Sequence, residues 1–335
     1  MTVPGPSAEL AGSAPQAAPV GRPGRARTIF IGSGGFGAES LRELTAIQSV
    51  DIVGVVTAPP RPAGRTGALT PTPIAHEARL LGVGPILTPE RLRDPAASVD
   101  ILALGADLVV LADYGRIVPE VLLDFRHGAL NLHPSLLPRH RGAAPIQGTI
   151  LAGDRETVVS IIRMDRGVDT GPIVAAERVP LTGHETAPEL EAHLAMVAAK
   201  LLARTVEPWI RGELVARPQD EEAATSTRPL QRTDGRLDPH RPAAELERAI
   251  RAYLPWPGTY LETGLMGRLI VRSGIAGPSA SSDQPGRIVA EGDGLALTTS
   301  DGRLVLGQVQ LEGRRAMDAS TLRRGAPSLV GTAVA

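Results

Sequence analysis

The sequence of 335 residues contains no cysteine, which excludes disulfides, thiol nucleophiles and thiolate zinc sites. Aromatic residues are scarce, with two tryptophans, three tyrosines and three phenylalanines, so aliphatic side chains must fill the core. Lys200 is the only lysine, and a formal net charge of −1 gives no overall positive field to attract nucleic acid. No stretch approaches the roughly 18 uninterrupted apolar residues of a membrane span. We therefore expect a cytoplasmic protein without membrane association.

The length predicts about two domains of roughly 150 residues each. Residues 1–27 are rich in Pro, Gly, Ala and Ser and lack the apolar centre of a signal peptide, so they predict a disordered tail. Over residues 28–215 apolar strands alternate with helices, which predicts an α/β fold with a Rossmann-like, mostly parallel sheet. The polar residues 216–229 lack periodicity and predict a linker. Short strands and Asp-Gly turns over residues 230–335 predict a small C-terminal β-barrel of the OB (oligonucleotide-binding) type.

Two loops of the N-terminal part invite a functional interpretation. Gly32–Gly37 (GSGGFG) fits the G-x-G-x-x-G pattern, but a dinucleotide site also needs an acidic residue near the end of the second strand. That strand ends at Thr57 without a carboxylate, so the glycines are interpreted as a tight turn. NAD binding stays the alternative. The long connection Ala58–Pro73 is predicted to be a structureless functional loop.

The clearest chemical signal is the pair Asn131 and His133 at the end of a buried strand. Period two puts both side chains on one face, and open α/β sheets bind ligands at the carboxyl ends of their strands. An amide donor beside an imidazole suits the stabilisation of an oxyanion. A second loop, Asp165–Gly171 (DRGVDTG), follows the next long strand and offers Asp165 and Asp169 to orient His133 or hold it protonated. A satisfied polar pair without a catalytic role is one alternative, and a metal site with His140 is another, although no third ligand has suitable spacing.

A series of motifs occurs in a fixed order along the chain. They are RPAGR at Arg61–Arg65, LTPTP at Leu69–Pro73, ADYG at Ala112–Gly115, NLHPSLLPRHRGAAPIQ at Asn131–Gln147, MDRGVDTGPI at Met164–Ile173 and LERAIRAYLPWPGTY at Leu246–Tyr260. With these motifs the chain, from Thr28 to its C-terminus, resembles the methionyl-tRNA formyltransferases, a family of folate-dependent formyltransferases.

The resemblance implies an enzyme of the formyltransferase fold that moves the formyl group of the co-substrate 10-formyltetrahydrofolate to the amino group of methionyl initiator tRNA, without a metal. Asn131 and His133 would stabilise the oxyanion, while Asp169 would hold His133 and assist proton transfer to the departing folate nitrogen. Arg61 and Arg65 would contact the tRNA, and the C-terminal barrel would bind it as well. The protein is expected to be a monomer. The residues implied for the folate pocket are Ala112, Tyr114, Gly115, Ser135, Leu136, Leu137, Pro138 and Asp165.

Some positions depart from the family pattern. His140 stands where the family usually has an aromatic residue, and the loop after Arg65 lacks the usual lysines. Arg228–Ala335 carries 14 arginines against 11 acidic residues, a weak positive footprint for phosphate binding. The alternative function is that of a sugar-nucleotide N-formyltransferase with the same donor. A formyltetrahydrofolate hydrolase and a catalytically inactive RNA-binding protein are further alternatives.

Overall fold

The computed structural model describes residues 24–63, 67–264, 266–281 and 283–334. Helices of the N-terminal domain are α1 (Phe36–Ala46), α2 (Pro73–Leu80), α3 (Pro95–Leu102), α4 (Pro145–Ala152) and α5 (Ala187–Ile210). Its strands are β1 (Ala26–Gly32), β2 (Val50–Val56), β3 (Arg61–Ala63), β4 (Ala68–Thr70), β5 (Ile86–Leu87), β6 (Leu108–Ala112), β7 (Ala129–His133), β8 (Arg141–Gly142), β9 (Glu156–Arg163) and β10 (Ile173–Pro180). Within the described ranges, no helix combines the length and the apolarity needed to cross a bilayer.

A seven-stranded sheet in the order β10-β9-β7-β6-β1-β2-β5 forms the centre of this domain. The strands from β7 to β5 pair in parallel, whereas β9 is antiparallel to β7 and β10 is antiparallel to β9. β6 and β7 are buried along their whole length, as expected of apolar strands covered on both faces. The predicted mostly parallel α/β sheet is therefore confirmed. The order of its strands reverses between β1 and β6, which opens a crevice at their carboxyl ends.

The connection Ala58–Pro73 differs from its prediction. Instead of a loop without structure, it contains a hairpin in which β3 pairs antiparallel with β4. The hairpin strands have three residues each, too few for an alternating pattern to be recognised in the sequence. Arg65 lies outside the described residues, so the structure gives no position for this predicted tRNA contact.

The structure describes the linker segment (residues 216–229) in full and the predicted N-terminal tail only in part. Residues 1–23 of the predicted tail lie outside the described residues, and β1 begins at Ala26. The linker segment packs back onto the N-terminal domain. Its strand β11 (Ser226–Thr227) pairs in parallel with β8, and the backbone of Arg217 pairs with that of Ile173. The backbone of the linker segment therefore hydrogen-bonds to the domain that precedes it.

The C-terminal domain is an antiparallel β structure, as predicted. The sequence predicts five strands, at Gly258–Thr263, Leu269–Ser273, Arg287–Glu291, Leu295–Thr299 and Leu304–Leu311. The observed elements are α6 (Ala243–Ala252), β12 (Thr259–Thr263), β13 (Gly267–Val271), β14 (Gly274–Gly277), β15 (Ile288–Glu291), β16 (Gly294–Thr298), β17 (Arg303–Leu306), β18 (Gln308–Leu311), β19 (Met317–Asp318) and α7 (Ala319–Gly325).

Two four-stranded sheets, β12-β13-β18-β19 and β14-β17-β16-β15, share one apolar core in this domain. The predicted strand Leu304–Leu311 is broken at Gly307, where a Cβ atom would lie 2.5 Å from the Ser273 hydroxyl. β14 and β19 were not predicted because they are short and carry little apolar alternation. The break lets one continuous stretch of sequence supply a strand to each sheet.

Candidate active site

Asn131, His133 and Asp169 meet at one point of the sheet. Asn131 and His133 are alternate residues of β7, and both are buried, with 7% and 5% of their surface exposed. Asn131 Nδ2 donates a hydrogen bond of 3.1 Å to Asp169 Oδ1. Asp169 Oδ2 lies 3.5 Å from His133 Nδ1. The structure thus brings together the three side chains predicted to carry the chemistry.

Asp169 reaches this position through an unusual route. Because β9 is antiparallel to β7, its last residue, Arg163, lies beside Leu130 at the start of β7. The loop after β9 then folds back along the strand to reach Asn131 and His133. Asp169 itself has a left-handed backbone, φ +54°, and its Oδ2 accepts a 2.8 Å hydrogen bond from the Gly142 amide. Its two oxygens therefore have fixed and different partners.

The loop that carries Asp169 is closed at its neck. Arg163 N donates to the Pro172 carbonyl, and a Cβ atom on Gly171 would lie 1.9 Å from the Arg163 carbonyl oxygen. Only glycine fits such a close backbone approach. Inside the loop, Asp165 Oδ1 accepts hydrogen bonds from Gly167 N at 3.0 Å and from the Thr170 hydroxyl at 2.6 Å. Asp165 thus shapes the loop from within.

The position of the ring hydrogen on His133 follows from its neighbours. Nε2 lies 3.0 Å from the His140 carbonyl oxygen, which can only accept, so Nε2 must carry the hydrogen. A neutral His133 then has its lone pair on Nδ1, facing the Asp169 carboxylate. Burial lowers the pKa of His133 below its ordinary value, and the facing Asp169 charge opposes that shift. Nδ1 is therefore a base whose protonated form has a counter-ion in place.

The segment after β7 forms the wall beside this trio. Ser135 and Leu137 are buried, while Leu136 and Pro138 are partly exposed. The Ser135 hydroxyl donates to the Arg139 carbonyl at 2.7 Å. The accessible part of this predicted folate-binding segment therefore consists of backbone and apolar surface.

His140, at the position that is usually aromatic, joins a polar cluster. Its Nε2 lies 2.9 Å from Asp154 Oδ2, and Arg139 donates to Asp154 Oδ1 at 2.9 Å. Its backbone is left-handed, φ +59°, and its amide donates to the Thr225 hydroxyl at 2.9 Å. These contacts fix the carbonyl that accepts from His133. Among the described residues, no group of three or more His, Cys, Asp and Glu side chains is suited to hold a metal ion.

A cavity of about 510 Å³ opens at the crevice between the ends of β1 and β6. Among the predicted site residues, Tyr114, Gly115 and Arg61 line it, whereas Ala112 is fully buried behind it. The glycine cluster contributes Gly34, where a Cβ atom would overlap the Asp113 carboxylate at 1.5 Å. Close backbone packing accounts for another glycine of the cluster without a dinucleotide, because a Cβ atom on Gly32 would lie 2.5 Å from the Ala112 carbonyl oxygen.

Sequence reasoning missed the contribution of the linker segment. Gln219 donates to the Asp169 and Gly171 carbonyls, and the Thr227 hydroxyl accepts from Ala144 N at 3.0 Å. The sequence carried no signal for these contacts beyond the polarity of the segment.

Comparison with known proteins finds relatives of both parts of the chain. Residues 26–206 match the formyl transferase family and residues 229–327 match the formyl transferase C-terminal domain. A methionyl-tRNA formyltransferase of Roseiflexus sp. (strain RS-1) is 42% identical over 301 residues, which cover 89% of this chain and 92% of that protein.

Two solved structures share the fold. An N-formyltransferase from Helicobacter canadensis, in complex with folinic acid and dTDP-3-aminofucose, has a TM-score of 0.61 at 15% identity over 85% of this chain and 100% of that one. HypX from Aquifex aeolicus, in complex with tetrahydrofolic acid, has a TM-score of 0.60 at 14% identity over 91% of this chain. The present chain spans only 47% of HypX. From the extent and identity of the sequence match, this chain belongs to the methionyl-tRNA formyltransferase family.

Proposed function

We propose that this enzyme, a formyltransferase by its family, moves the formyl group of 10-formyltetrahydrofolate to the amino group of methionyl initiator tRNA, with Asn131, His133 and Asp169 as its catalytic residues. The observation that carries the proposal is the Asp169 carboxylate, which holds the Asn131 amide and faces the His133 ring. The trio lies in a chain 42% identical to a methionyl-tRNA formyltransferase. We further propose that the enzyme acts as a monomer in the cytoplasm.

Asn131 is the oxyanion donor in this proposal. When the methionyl amine attacks the formyl carbon, the formyl oxygen gains negative charge and needs a donor already in place. One hydrogen of Asn131 Nδ2 binds Asp169 Oδ1, which fixes the direction of the second. That second hydrogen would bind the developing oxyanion.

His133 and Asp169 carry out the proton transfer in this proposal. The Nε2 hydrogen is engaged by the His140 carbonyl, so Nδ1 is the ring atom left for proton transfer. As the new C–N bond forms, the amine nitrogen gives up a proton to Nδ1, and the Asp169 carboxylate stabilises the imidazolium. The bond between the formyl carbon and N10 of the folate then breaks, and N10 receives that proton. In this proposal Asp169 still holds His133 and assists the proton transfer, as the resemblance implies. His133 carries the proton instead of stabilising the oxyanion.

The proposed folate pocket lies beside this trio. Leu136 and Pro138 offer apolar surface and backbone groups, and Asp165 shapes the loop on the other side. We expect backbone groups and apolar contacts to bind the two-ring pterin, because the Ser135 hydroxyl already donates to the Arg139 carbonyl. Tyr114 at the rim would complete the pocket.

The acceptor end of the tRNA is proposed to approach from the rim that carries the β3–β4 hairpin. Arg61 lines the rim cavity, and Arg65 follows it in the sequence. Arginine binds phosphate through a directional fork of donors. These two side chains, together with the C-terminal domain, would hold the tRNA while the methionyl amine reaches Asn131.

A transfer assay with alternative acceptors tests the proposed function. Purified enzyme with 10-formyltetrahydrofolate is offered methionyl initiator tRNA, methionyl elongator tRNA and an amino-sugar nucleotide in parallel. We expect formyl transfer to methionyl initiator tRNA at a rate well above that of the other two acceptors. Preferred transfer to the sugar nucleotide would establish the alternative function, and release of free formate without an acceptor would indicate a hydrolase.

Ligand-dependent stability provides a second, independent prediction. Folinic acid, a stable folate, should raise the melting temperature because it binds the native state, with about 2.7 kcal/mol of stabilisation at a concentration 100 times its Kd. NAD at the same concentration should leave the melting temperature unchanged. The measurement is a thermal melt of the full chain. Stabilisation by NAD and not by folinic acid would instead make Gly32–Gly37 a dinucleotide site.

A further inference from the structure

Gln219 occupies a position that links the two loops of the catalytic trio. It lies in the linker segment, fifty residues after Asp169, and its side chain is partly buried. Its Nε2 donates to the Asp169 carbonyl at 2.8 Å and to the Gly171 carbonyl at 2.7 Å. These two carbonyls flank Thr170, at the point where the Asp169 loop turns back towards its neck.

The other end of the same carboxamide binds Arg141. Gln219 Oε1 accepts from Arg141 Nε at 3.1 Å and from a terminal guanidinium nitrogen at 2.8 Å. Arg141 directly follows His140, whose carbonyl accepts from His133, and precedes Gly142, whose amide donates to Asp169. Both ends of the Gln219 carboxamide are therefore engaged by the two segments that position His133 and Asp169.

The backbone of Asp169 explains why such a link is needed. Its φ of +54° is sparsely populated for a residue with a side chain and persists only where the surroundings fix it. The Asp169 carboxylate binds the Asn131 amide and the Gly142 amide, and the carbonyl of the same residue is fixed by Gln219. Loss of the Gln219 bonds would let the carboxylate move relative to His133 Nδ1.

We propose that Gln219 is a positioning residue for the transfer reaction, which holds the Asp169 loop against the His140–Gly142 segment through its two donor and two acceptor contacts. Through this one residue the linker segment, which leads to the C-terminal domain, is joined to the catalytic loop. This inference rests on the proposed function for its kinetic readout only.

The test compares three variants of the full chain. Gln219→Met keeps the size of the side chain and removes all four contacts. Gln219→Glu removes the donors to the two carbonyls but keeps an acceptor for Arg141. The remaining contact with Arg141 helps the linker segment stay in place. Glu221→Gln is the matched control, because Glu221 also binds Arg141 but is 68% exposed and touches neither carbonyl.

We expect kcat to fall by about 10²-fold in both Gln219 variants, the loss typical of a misplacement near 1 Å, with the KM for folate unchanged. Glu221→Gln should stay within about twofold of the wild type, because the Glu221 side chain is mostly exposed, a glutamine oxygen still accepts from Arg141, and Gln219 still holds the Arg141 guanidinium. A wild-type kcat in Gln219→Glu, or an equal loss in Glu221→Gln, would overturn the assignment. The wild type is assayed first. A lack of formyl transfer by the wild type would contradict the proposed function, and this result is distinct from any effect of the Gln219 substitutions.

A titration of His133 by NMR gives a readout that does not depend on turnover. The titratable groups that face His133 are Asp169, which raises its pKa, and His140, which lowers it. If Gln219→Met lets the Asp169 carboxylate move away, the pKa of His133 should fall further, while the circular dichroism spectrum stays the same. An unchanged titration in Gln219→Met would show that Gln219 does not position Asp169.

Discussion

Asp169→Asn is expected to lower kcat by at least about 10²–10³-fold, although it changes one atom in the side chain. Asp169 accepts on both oxygens, from Asn131 Nδ2 and from the Gly142 amide. An asparagine has one acceptor oxygen, so in either orientation its NH₂ group must point at one of these donors. It also removes the charge that stabilises a protonated His133.

The control for this variant is Asp220→Asn, which changes an exposed carboxylate that accepts a hydrogen bond from the Glu222 amide. Steady-state transfer with methionyl initiator tRNA is the measurement, and circular dichroism checks the fold. The double variant Asn131→Ala/Asp169→Asn should lose much less than the product of the two single losses, since the residues act as a unit. Turnover near the wild-type value in Asp169→Asn would remove Asp169 from the mechanism.

Much of the fold could be predicted because the central strands carry strong local signals. β6 and β7 are continuous apolar runs, as strands covered on both faces must be. Helix α4 is bounded by residues of its own sequence, because Pro145 begins it and Gly153, at φ +69°, ends it. Such signals lie within the element itself.

The elements that were missed depend on partners distant in the sequence. β8 and β11 have two residues each and are defined by their mutual pairing across more than eighty positions. Gln219 likewise has no local pattern, since its partners lie in the Asp169 loop and in β8. Hydrogen bonds between irregular segments leave no periodicity to read, so the role of the linker segment could not be predicted from its sequence.

The sequence was enough to identify the residues of the candidate site, but it did not specify how their side chains are arranged. The alternation along β7 was enough to put Asn131 and His133 on one face. The approach of Asp169 depends on a loop that folds back beside an antiparallel strand, and the sequence indicates that only through the glycine at its neck. The direction of the His133 ring depends on the His140 carbonyl, a backbone atom that no motif identifies.

His133→Ala is expected to lower kcat by about 10²–10⁴-fold, the range for loss of a positioned acid–base group. The wild-type pH profile should show which protonation state is active. If Nδ1 takes the proton from the amine, kcat falls on acidification as His133 becomes protonated in advance. Because burial lowers the pKa of His133, this acidic limb should lie below the ordinary imidazole value of about 6.5.

Substitutions should shift the acidic limb of the pH–rate profile in a direction that the proposed mechanism specifies. In Asp169→Asn the opposing charge is gone, so the pKa of His133 falls and the residual activity should extend to still lower pH. His133→Ala should lose the limb entirely, whereas His193→Ala, which removes an exposed histidine of α5, should keep both the rate and the profile. Single-turnover transfer from pH 5 to 8, the range over which imidazole charge changes, measures all four proteins. An acidic limb that persists unchanged in His133→Ala would assign the proton transfer to another group.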